Sequence, residues 1–225
     1  MLSSSNVHFW KKVGSHTDNA NHRGEEIAYS YARAGAQNVI LAARSTTALE
    51  AVAKNVSSIN SGCTVHNVYC DVASSDSFSQ LRDFIKSNIG RLDAVVYNSG
   101  YSGDLTLDMT QTPVDSFRTA TEVNLLGTFH AAHDLVPLLL QSEKGAKKFV
   151  IVSSMAAAIV KGPIANAQYC VTKAAQMRLM EHVHEEYSKE GLLTVCIHPG
   201  AVLTDMAIRS AGGSDFVKGR VAAFY

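Results

Sequence analysis

The feature that most constrains this 225-residue chain is an alternation of short β-branched runs with longer segments of helical periodicity. Strands and helices that alternate in this way form βαβ units around a parallel sheet. The runs are mostly continuous in apolar residues, which is typical of strands covered by helices on both faces. The predicted strands are NVILAA at 38–43, TVHNVYCDV at 64–72, LDAVVYNSG at 92–100, KFVIVSS at 148–154 and LLTVCIHPG at 192–200.

Four segments between these strands carry apolar residues at helical spacing. They are TTALEAVAKNVSSI, DSFSQLRDFIKSNI, the stretch from Val114 to Ser142, and Tyr169 to Glu190. Right-handed crossovers stack such units into a doubly wound α/β sheet. Because the chain contains no repeat, low-complexity tract or linker, we expect one domain over residues 1–225.

The first strand of this sheet is the unusual one. It should precede residue 17, where the chain reads Val13, Gly14, Ser15 and His16. Losing three apolar positions in a central strand would cost about 5 to 9 kcal/mol, which is comparable with the stability of a whole domain. Either the segment VHFW at 7–10 supplies the strand, or the sheet is weak at its centre.

Charge and cysteine content narrow the choice of partners. Lysine and arginine total 20, as do aspartate and glutamate, so no net charge attracts nucleic acid or an anionic membrane. The four cysteines show no C-x-x-C spacing, which implies neither a metal site nor a disulfide frame. The start of the chain lacks an apolar signal core, and no apolar run reaches the roughly 20 residues needed to span a bilayer. We therefore expect a cytoplasmic protein with small-molecule partners.

The strongest chemical signal is Tyr169 followed four residues later by Lys173 on a helix. Residues at this spacing share a helical face, so the ammonium can lower the pKa of the phenol and make it a usable acid or base. Ser153 and Ser154 end the preceding strand. This order brings hydroxyl and phenol to the carboxyl edge of the sheet, where ligands of such folds bind.

In its ordered motifs the chain resembles the short-chain dehydrogenase/reductase family from about Gly24 to Met206. The turn YNSG, with Asn98, Ser99 and Gly100, resembles the family's Asn-Asn-Ala-Gly turn, and VNLLGTF contains the family's helical asparagine, Asn124. The serine, the Y-x-x-x-K motif and the Pro-Gly turn in HPGAVLT follow in the family's order. The resemblance implies a Rossmann-like fold.

The resemblance also implies a role for each catalytic residue. Tyr169 exchanges a proton with the substrate oxygen, and Lys173 holds the nicotinamide ribose and lowers the pKa of the phenol. Asn124 anchors a water that relays protons outward from Lys173. Ser154 orients the carbonyl or hydroxyl group, with Ser153 as the alternative, because in relatives with a Ser-Ser pair the second serine usually serves. The cofactor carries the hydride.

The phosphate-binding loop departs from the family pattern. Aligned on T-G-x-x-x-G-x-G, Thr17 takes the position of the Thr, while Asp18 and His22 replace the first two glycines and Gly24 keeps the third. Glycine there permits positive φ and close approach of the backbone to the pyrophosphate, and a carboxylate repels phosphate. His22 and Arg23 offer partial compensation as phosphate contacts, or are solvent-exposed.

The other cofactor positions agree with the family. After the second strand the chain reads Arg44-Ser45 in place of an acidic residue, which predicts a preference for NADP, since arginine suits a 2′-phosphate. By resemblance, Asp71 and Val72 contact adenine, and Val202 and Thr204 meet the nicotinamide amide. The full predicted set is Gly24, Arg44, Ser45, Asp71, Val72, Asn98, Ser99, Gly100, Tyr169, Lys173, Pro199, Gly200, Val202 and Thr204.

Three interpretations follow. The first is an NADP-preferring short-chain reductase for a small or medium carbonyl compound or its alcohol, forming a homodimer or homotetramer through its long helices. The second is a non-catalytic scaffold or binding protein of the same fold that has lost its phosphate loop. The third is a truncated or misassembled gene product, because the chain stops at Tyr225, before the family's seventh strand.

Overall fold

The computed structural model of this chain describes residues 6–10, 23–161 and 166–200. These residues form a six-stranded parallel sheet in the order β3-β2-β1-β4-β5-β6. β1 lies at the centre and the later strands follow outward in both directions, which defines a doubly wound sheet and confirms the predicted fold class. The strands are β1 Asn6–Trp10, β2 Asn38–Ala43, β3 Thr64–Tyr69, β4 Ala94–Tyr97, β5 Lys148–Val152 and β6 Leu193–Ile197. That one domain covers residues 1–225 stays a prediction.

Six α-helices connect the strands within the described ranges. They are α1 Arg23–Arg33, α2 Thr46–Ile59, α3 Ser75–Asn88, α4 Val114–Ala120, α5 Gly127–Gln141 and α6 Ala167–Tyr187. The predicted helix over 114–142 is interrupted, because a π-helical segment, Thr121–Leu126, joins α4 to α5. Such a segment widens the helix locally and frees backbone carbonyls from the regular ladder.

The central strand is supplied by the segment that contains VHFW. β1 pairs in parallel with both β2 and β4, with Val7 opposite Val39 and Ala94. Of the two alternatives raised by the weak residues 13–16, the structure therefore selects the first. A strand between two buried neighbours needs apolar residues, which NVHFW contains and VGSH mostly lacks. The predicted loss of a seventh strand concerns residues 201–225, which lie outside the described residues.

Side chains alternate between the two faces of the sheet, as the period of two requires. On β2, Ile40 and Ala42 join the core formed with α3, α5 and α6, whereas Val39 and Leu41 join the core formed with α1 and α2. Three leucines of α5 are buried in the first of these cores. Those leucines are Leu135, Leu138 and Leu139.

Four predicted strands are too long at their carboxyl ends. β3, β4, β5 and β6 stop at Tyr69, Tyr97, Val152 and Ile197. The residues beyond them, CDV, NSG, SS and HPG, lie outside the regular strands and belong to the connecting loops. In a parallel sheet all of these loops meet at one edge, so the strands position the candidate site.

No helix in the described residues is long and apolar enough to cross a bilayer. Three of the four free cysteines are buried, namely Cys63, Cys70 and Cys170, while Cys196 is exposed.

Candidate active site

Tyr169 and Lys173 lie in the first two turns of α6 and share one helical face. The Lys173 Nζ atom is 5.8 Å from the centroid of the Tyr169 ring. Tyr169 is half-buried, whereas only 2% of Lys173 is exposed. The structure thus brings the predicted acid/base and its neighbouring cation together.

The buried ammonium of Lys173 has fixed acceptors. Its Nζ donates to the carbonyl of Val152, the last residue of β5, at 2.9 Å, and to Oε1 of Gln176 at 2.9 Å. A buried charge needs such compensation, since an unpaired ammonium would be costly to desolvate. These bonds tie α6 to the carboxyl end of β5 and hold the positive charge beneath Tyr169.

Asn124 lies in the π-helical segment and is fully buried. Its Oδ1 accepts a hydrogen bond from the backbone N–H of Tyr101 at 2.8 Å, and its Nδ2 donates to the Tyr101 carbonyl at 2.8 Å. Nδ2 also donates to Oγ1 of Thr172 at 2.9 Å. The Asn124 side chain therefore joins the loop after β4 to α6.

The π-helical segment is held from below by Tyr97. The Tyr97 hydroxyl donates to the carbonyl of Val123 at 2.5 Å. Burial raises the pKa of the Tyr97 phenol well above its ordinary value, so this group remains a hydroxyl donor at physiological pH. Glycine at position 127 allows the Tyr97 hydroxyl to lie close to the helix, because a Cβ on this residue would lie only 2.3 Å from the Tyr97 oxygen.

The loop after β4 is clamped by two amides that come just before Tyr169. Asn166 donates to the carbonyls of Ser102 and Asp104 at 2.9 and 3.0 Å, and Gln168 donates to the same carbonyls at 3.2 and 3.3 Å. Gly103, which lies between Ser102 and Asp104, has a φ of +67°, a conformation that residues other than glycine rarely adopt. These bonds attach the loop to the start of α6.

The two candidate serines differ in environment. Ser153 is buried, and its backbone N–H donates to the Ile197 carbonyl at 2.8 Å. Ser154 is half-buried, and its Oγ accepts from the N–H of Ala156 at 3.1 Å. The hydroxyl of Ser154 keeps its own proton for donation and is the more exposed of the two. The assignment of Ser154 over Ser153 stays a prediction.

The described residues that are predicted to bind the cofactor lie at the same edge of the sheet. They follow the ends of β2, β3, β4 and β6 or open α1, and comprise Gly24, Arg44, Ser45, Asp71, Val72, Asn98, Ser99, Gly100, Pro199 and Gly200. Arg44 is exposed, while Ser45 caps α2 by accepting from the N–H of Ala48 at 3.4 Å. Val202 and Thr204, like Thr17, Asp18 and His22, lie outside the described residues.

The described part of the edge fits a dinucleotide. Gly100 is buried, and a Cβ on it would lie 3.6 Å from both Asn124 Oδ1 and Lys173 Nζ, so the backbone passes close to the Tyr–Lys pair. Gly24 is buried in the first turn of α1, whose amino end favours negative charge. Glu25 and Glu26 occupy the same turn and oppose a phosphate there.

Sequence reasoning missed two groups of residues. The first group is Gln176, which contacts Lys173, and Thr172, which contacts Asn124. Both lie within one turn of Lys173, and the polar residue three positions after this lysine could have indicated the contact. The clamp residues Asn166 and Gln168 lie beside Tyr169, but their partners are about 60 residues away, which spacing alone does not reveal.

A doubly wound sheet with a Tyr–Lys pair and a buried asparagine at its carboxyl edge is the arrangement that the family resemblance predicts. The model of the short chain dehydrogenase family matches residues 23–213. The chain therefore belongs to this family, which confirms the resemblance seen in the motifs. Members of the family use NAD or NADP and act on small molecules.

The similarity extends to individual relatives. The chain is 31% identical over 195 residues to short chain dehydrogenase pgmD of Aspergillus terreus, covering 83% of this chain and 62% of that protein. It is 29% identical over 205 residues to 7alpha-hydroxysteroid dehydrogenase of Escherichia coli K12, covering 91% and 76%. The chain thus spans about three fifths of the length of the first of these relatives.

A solved structure shares the same fold. L-sorbose reductase of Gluconobacter frateurii, in complex with NADPH and L-sorbose, superposes with a TM-score of 0.78 at 24% identity and covers 98% of this chain and 81% of that one. At this identity the likeness concerns the fold.

Proposed function

We propose that this protein transfers hydride between NADP(H) and a carbonyl or alcohol substrate, with Tyr169 as the acid/base. The observation that carries the proposal is the buried Lys173 ammonium, fixed 5.8 Å from the Tyr169 ring by two acceptors. A solvated helix pair needs no buried lysine, because an exposed ammonium is already stabilised by water. Burial of the Lys173 charge has a functional reason if this charge lowers the pKa of the Tyr169 phenol.

Each residue then has a chemical task. In reduction, Tyr169 gives its proton to the substrate oxygen, and the positive charge of Lys173 stabilises the phenolate that remains. Ser154 donates a hydrogen bond to the same oxygen and orients it. The cofactor, held by Lys173 and by the residues at the edge of the sheet, supplies or accepts the hydride when bound. In oxidation the proton moves the opposite way.

The preference for NADP rests on Arg44. Its guanidinium follows β2 and is exposed, which leaves it accessible to the 2′-phosphate. The solved L-sorbose reductase contains NADPH, which supports use of this cofactor by the fold. For substrates we propose small or medium carbonyl compounds and their alcohols.

We also propose a homo-oligomer. Four large apolar side chains on α4, the π-helical segment and α5 are exposed in the single chain, and exposed apolar surface favours association. They are Val114, Phe117, Leu126 and Phe129.

A second candidate function is a non-catalytic scaffold. It is favoured by the replacement of two loop glycines by Asp18 and His22, together with Glu25 and Glu26 at the start of α1. All three carboxylates would oppose a bound phosphate, which is a cost that an active enzyme must overcome.

The first experiment is thermal unfolding with excess NADPH, with NADH as the comparison. A ligand at 100 times its dissociation constant adds about 2.7 kcal/mol, which raises Tm by roughly 5 to 10 °C for a chain of this size. A shift with NADPH, followed by its oxidation with a panel of carbonyl compounds, supports the enzyme. A cooperatively unfolding protein that shows no shift with either cofactor supports the scaffold.

The Tyr169→Phe variant tests the assigned chemistry. It removes the transferable proton and leaves the Lys173 contacts in place, so we expect turnover to fall by about 100-fold or more. NADPH affinity should change less than threefold, as measured by titration of cofactor fluorescence. Turnover equal to that of the unmodified protein would refute the role of Tyr169.

A further inference from the structure

Gln176 lies one turn beyond Lys173 on α6 and is fully buried. Its Oε1 accepts from Lys173 Nζ at 2.9 Å. Its Nε2 donates to the carbonyl of Asn124 at 3.1 Å and to Oγ1 of Thr128 at 2.6 Å. One side chain therefore contacts both the cation of the Tyr–Lys pair and the π-helical segment.

The orientation of this amide is determined by its neighbours. An ammonium can only donate and a backbone carbonyl can only accept, so the oxygen must face Lys173 and the nitrogen must face Asn124. Thr128 Oγ1 donates to the same Asn124 carbonyl at 2.8 Å and can accept from Gln176. A flipped amide would place two acceptors together and two donors together, which this network excludes.

Gln176 also connects Lys173 to Asn124, a connection that the family resemblance assigns to a water. That resemblance implies a water anchored by Asn124 that relays protons from Lys173. Here the Gln176 amide bonds directly to Lys173 Nζ and to the Asn124 carbonyl. An amide N–H does not ionise at physiological pH, so this link transmits position rather than protons.

We propose that Gln176 is a positioning residue that fixes the Lys173 ammonium beneath Tyr169 by coupling it to the π-helical segment. The inference rests on the proposed oxidoreductase function. Two matched substitutions distinguish the contribution of the Gln176 acceptor from that of its donor. Gln176→Met keeps the size of the side chain and removes both the acceptor and the donor. Gln176→Glu keeps the acceptor for Lys173, removes the donor, and adds a negative charge near the phenol.

The first test is the pH profile of kcat for alcohol oxidation with NADP. In Gln176→Met, Lys173 loses a fixed acceptor, so kcat should fall about 10-fold at every pH. In Gln176→Glu, the added carboxylate opposes phenolate formation, which should move the acidic limb of the profile by roughly one pH unit to higher pH. Above that limb, kcat of Gln176→Glu should return to within about threefold of the unmodified protein.

Asn60→Leu is the control for lost amide bonds. Asn60 donates to the carbonyls of Ala32 and Ala36 at 3.2 and 3.4 Å, between α1 and α2 and away from the site. It should lower Tm as the Gln176 variants do and leave the pH profile unchanged. The positioning role is refuted if Gln176→Met keeps kcat within twofold, or if Gln176→Glu is as impaired as Gln176→Met at every pH.

A readout that needs no turnover separates this inference from the proposed function. Ultraviolet difference titration against Tyr169→Phe isolates phenolate formation by Tyr169. Its midpoint should move to higher pH in Gln176→Glu, and an unmoved midpoint would overturn the inference even if the protein is an active enzyme. If the unmodified protein turns over no carbonyl or alcohol, the proposed function fails, and this titration still decides whether Gln176 acts on the Tyr–Lys pair.

Discussion

Replacing Gly127 by alanine should separate α5 from the sheet at the point where the π-helical segment ends. The added Cβ would lie 2.3 Å from the Tyr97 hydroxyl oxygen and 2.9 Å from the carbonyl oxygen of Val72. The first distance is about 1 Å short of van der Waals contact. Neither neighbour can yield easily, because Tyr97 is fully buried and bonded to Val123, and the Val72 oxygen belongs to the backbone.

The expected cost follows from two opposing effects. Overpacking of this kind destabilises a core by about 1 to 3 kcal/mol or more, whereas alanine in a helix is about 1 kcal/mol more favourable than glycine. We expect Gly127→Ala to lower the free energy of unfolding by about 2 kcal/mol, which corresponds to a fall in Tm of roughly 4 to 8 °C. Urea unfolding followed by circular dichroism measures this directly.

Gly62→Ala provides the matched control, because a Cβ there meets only the Asn60 side chain at 3.4 Å, an ordinary contact. Its effect should stay within about 0.5 kcal/mol. Tyr97→Phe removes the obstructing oxygen. The double variant Tyr97→Phe/Gly127→Ala should therefore lose about 1 kcal/mol less free energy of unfolding than the sum of the losses of the two single variants. Strict additivity, or a Gly127→Ala variant as stable as Gly62→Ala, would refute the close approach of α5 to Tyr97.

Two further predictions concern the loop clamp and the buried thiol. Gly103→Ala places a Cβ 2.3 Å from Ser116 Oγ and 3.0 Å from Gln168 Nε2, in a left-handed backbone conformation. The KM for the carbonyl substrate should therefore rise more than the dissociation constant of NADPH. Steady-state kinetics measures the first quantity and cofactor titration the second. Burial, followed in importance by the nearby Asp71 charge, raises the pKa of the Cys70 thiol from 9.0 to about 12. The unfolded thiol ionises first, so this contribution to stability is complete below pH 9 and is lost as the pH rises toward 12. Relative to Cys70→Ala, the protein should lose about 2 kcal/mol between pH 8 and 10.5 in urea unfolding, and parallel pH curves for the two proteins would contradict this.

Local patterns in the chain were sufficient for the fold class and for most elements. The bounds of β2 at 38–43 and of α2 at 46–59 agree with the periodicity, because burial on both faces of a strand and one face of a helix leaves a direct imprint on residue type. The motif order was sufficient for the family, since Tyr169 and Lys173 are close in the chain and their relation is local.

Relations between distant residues were decided only by the tertiary structure. Nothing in the order of residues states that NVHFW, rather than the segment just before residue 17, pairs between β2 and β4, because pairing depends on which segment can be buried there. The helix over 114–142 appears continuous in sequence, and only the folded chain shows its π-helical segment, where the hydroxyl of the distant Tyr97 donates to the Val123 carbonyl. Gln176 is one polar residue among many on α6, and only folding brings its amide between Lys173 and the carbonyl of Asn124, 52 residues away in the chain.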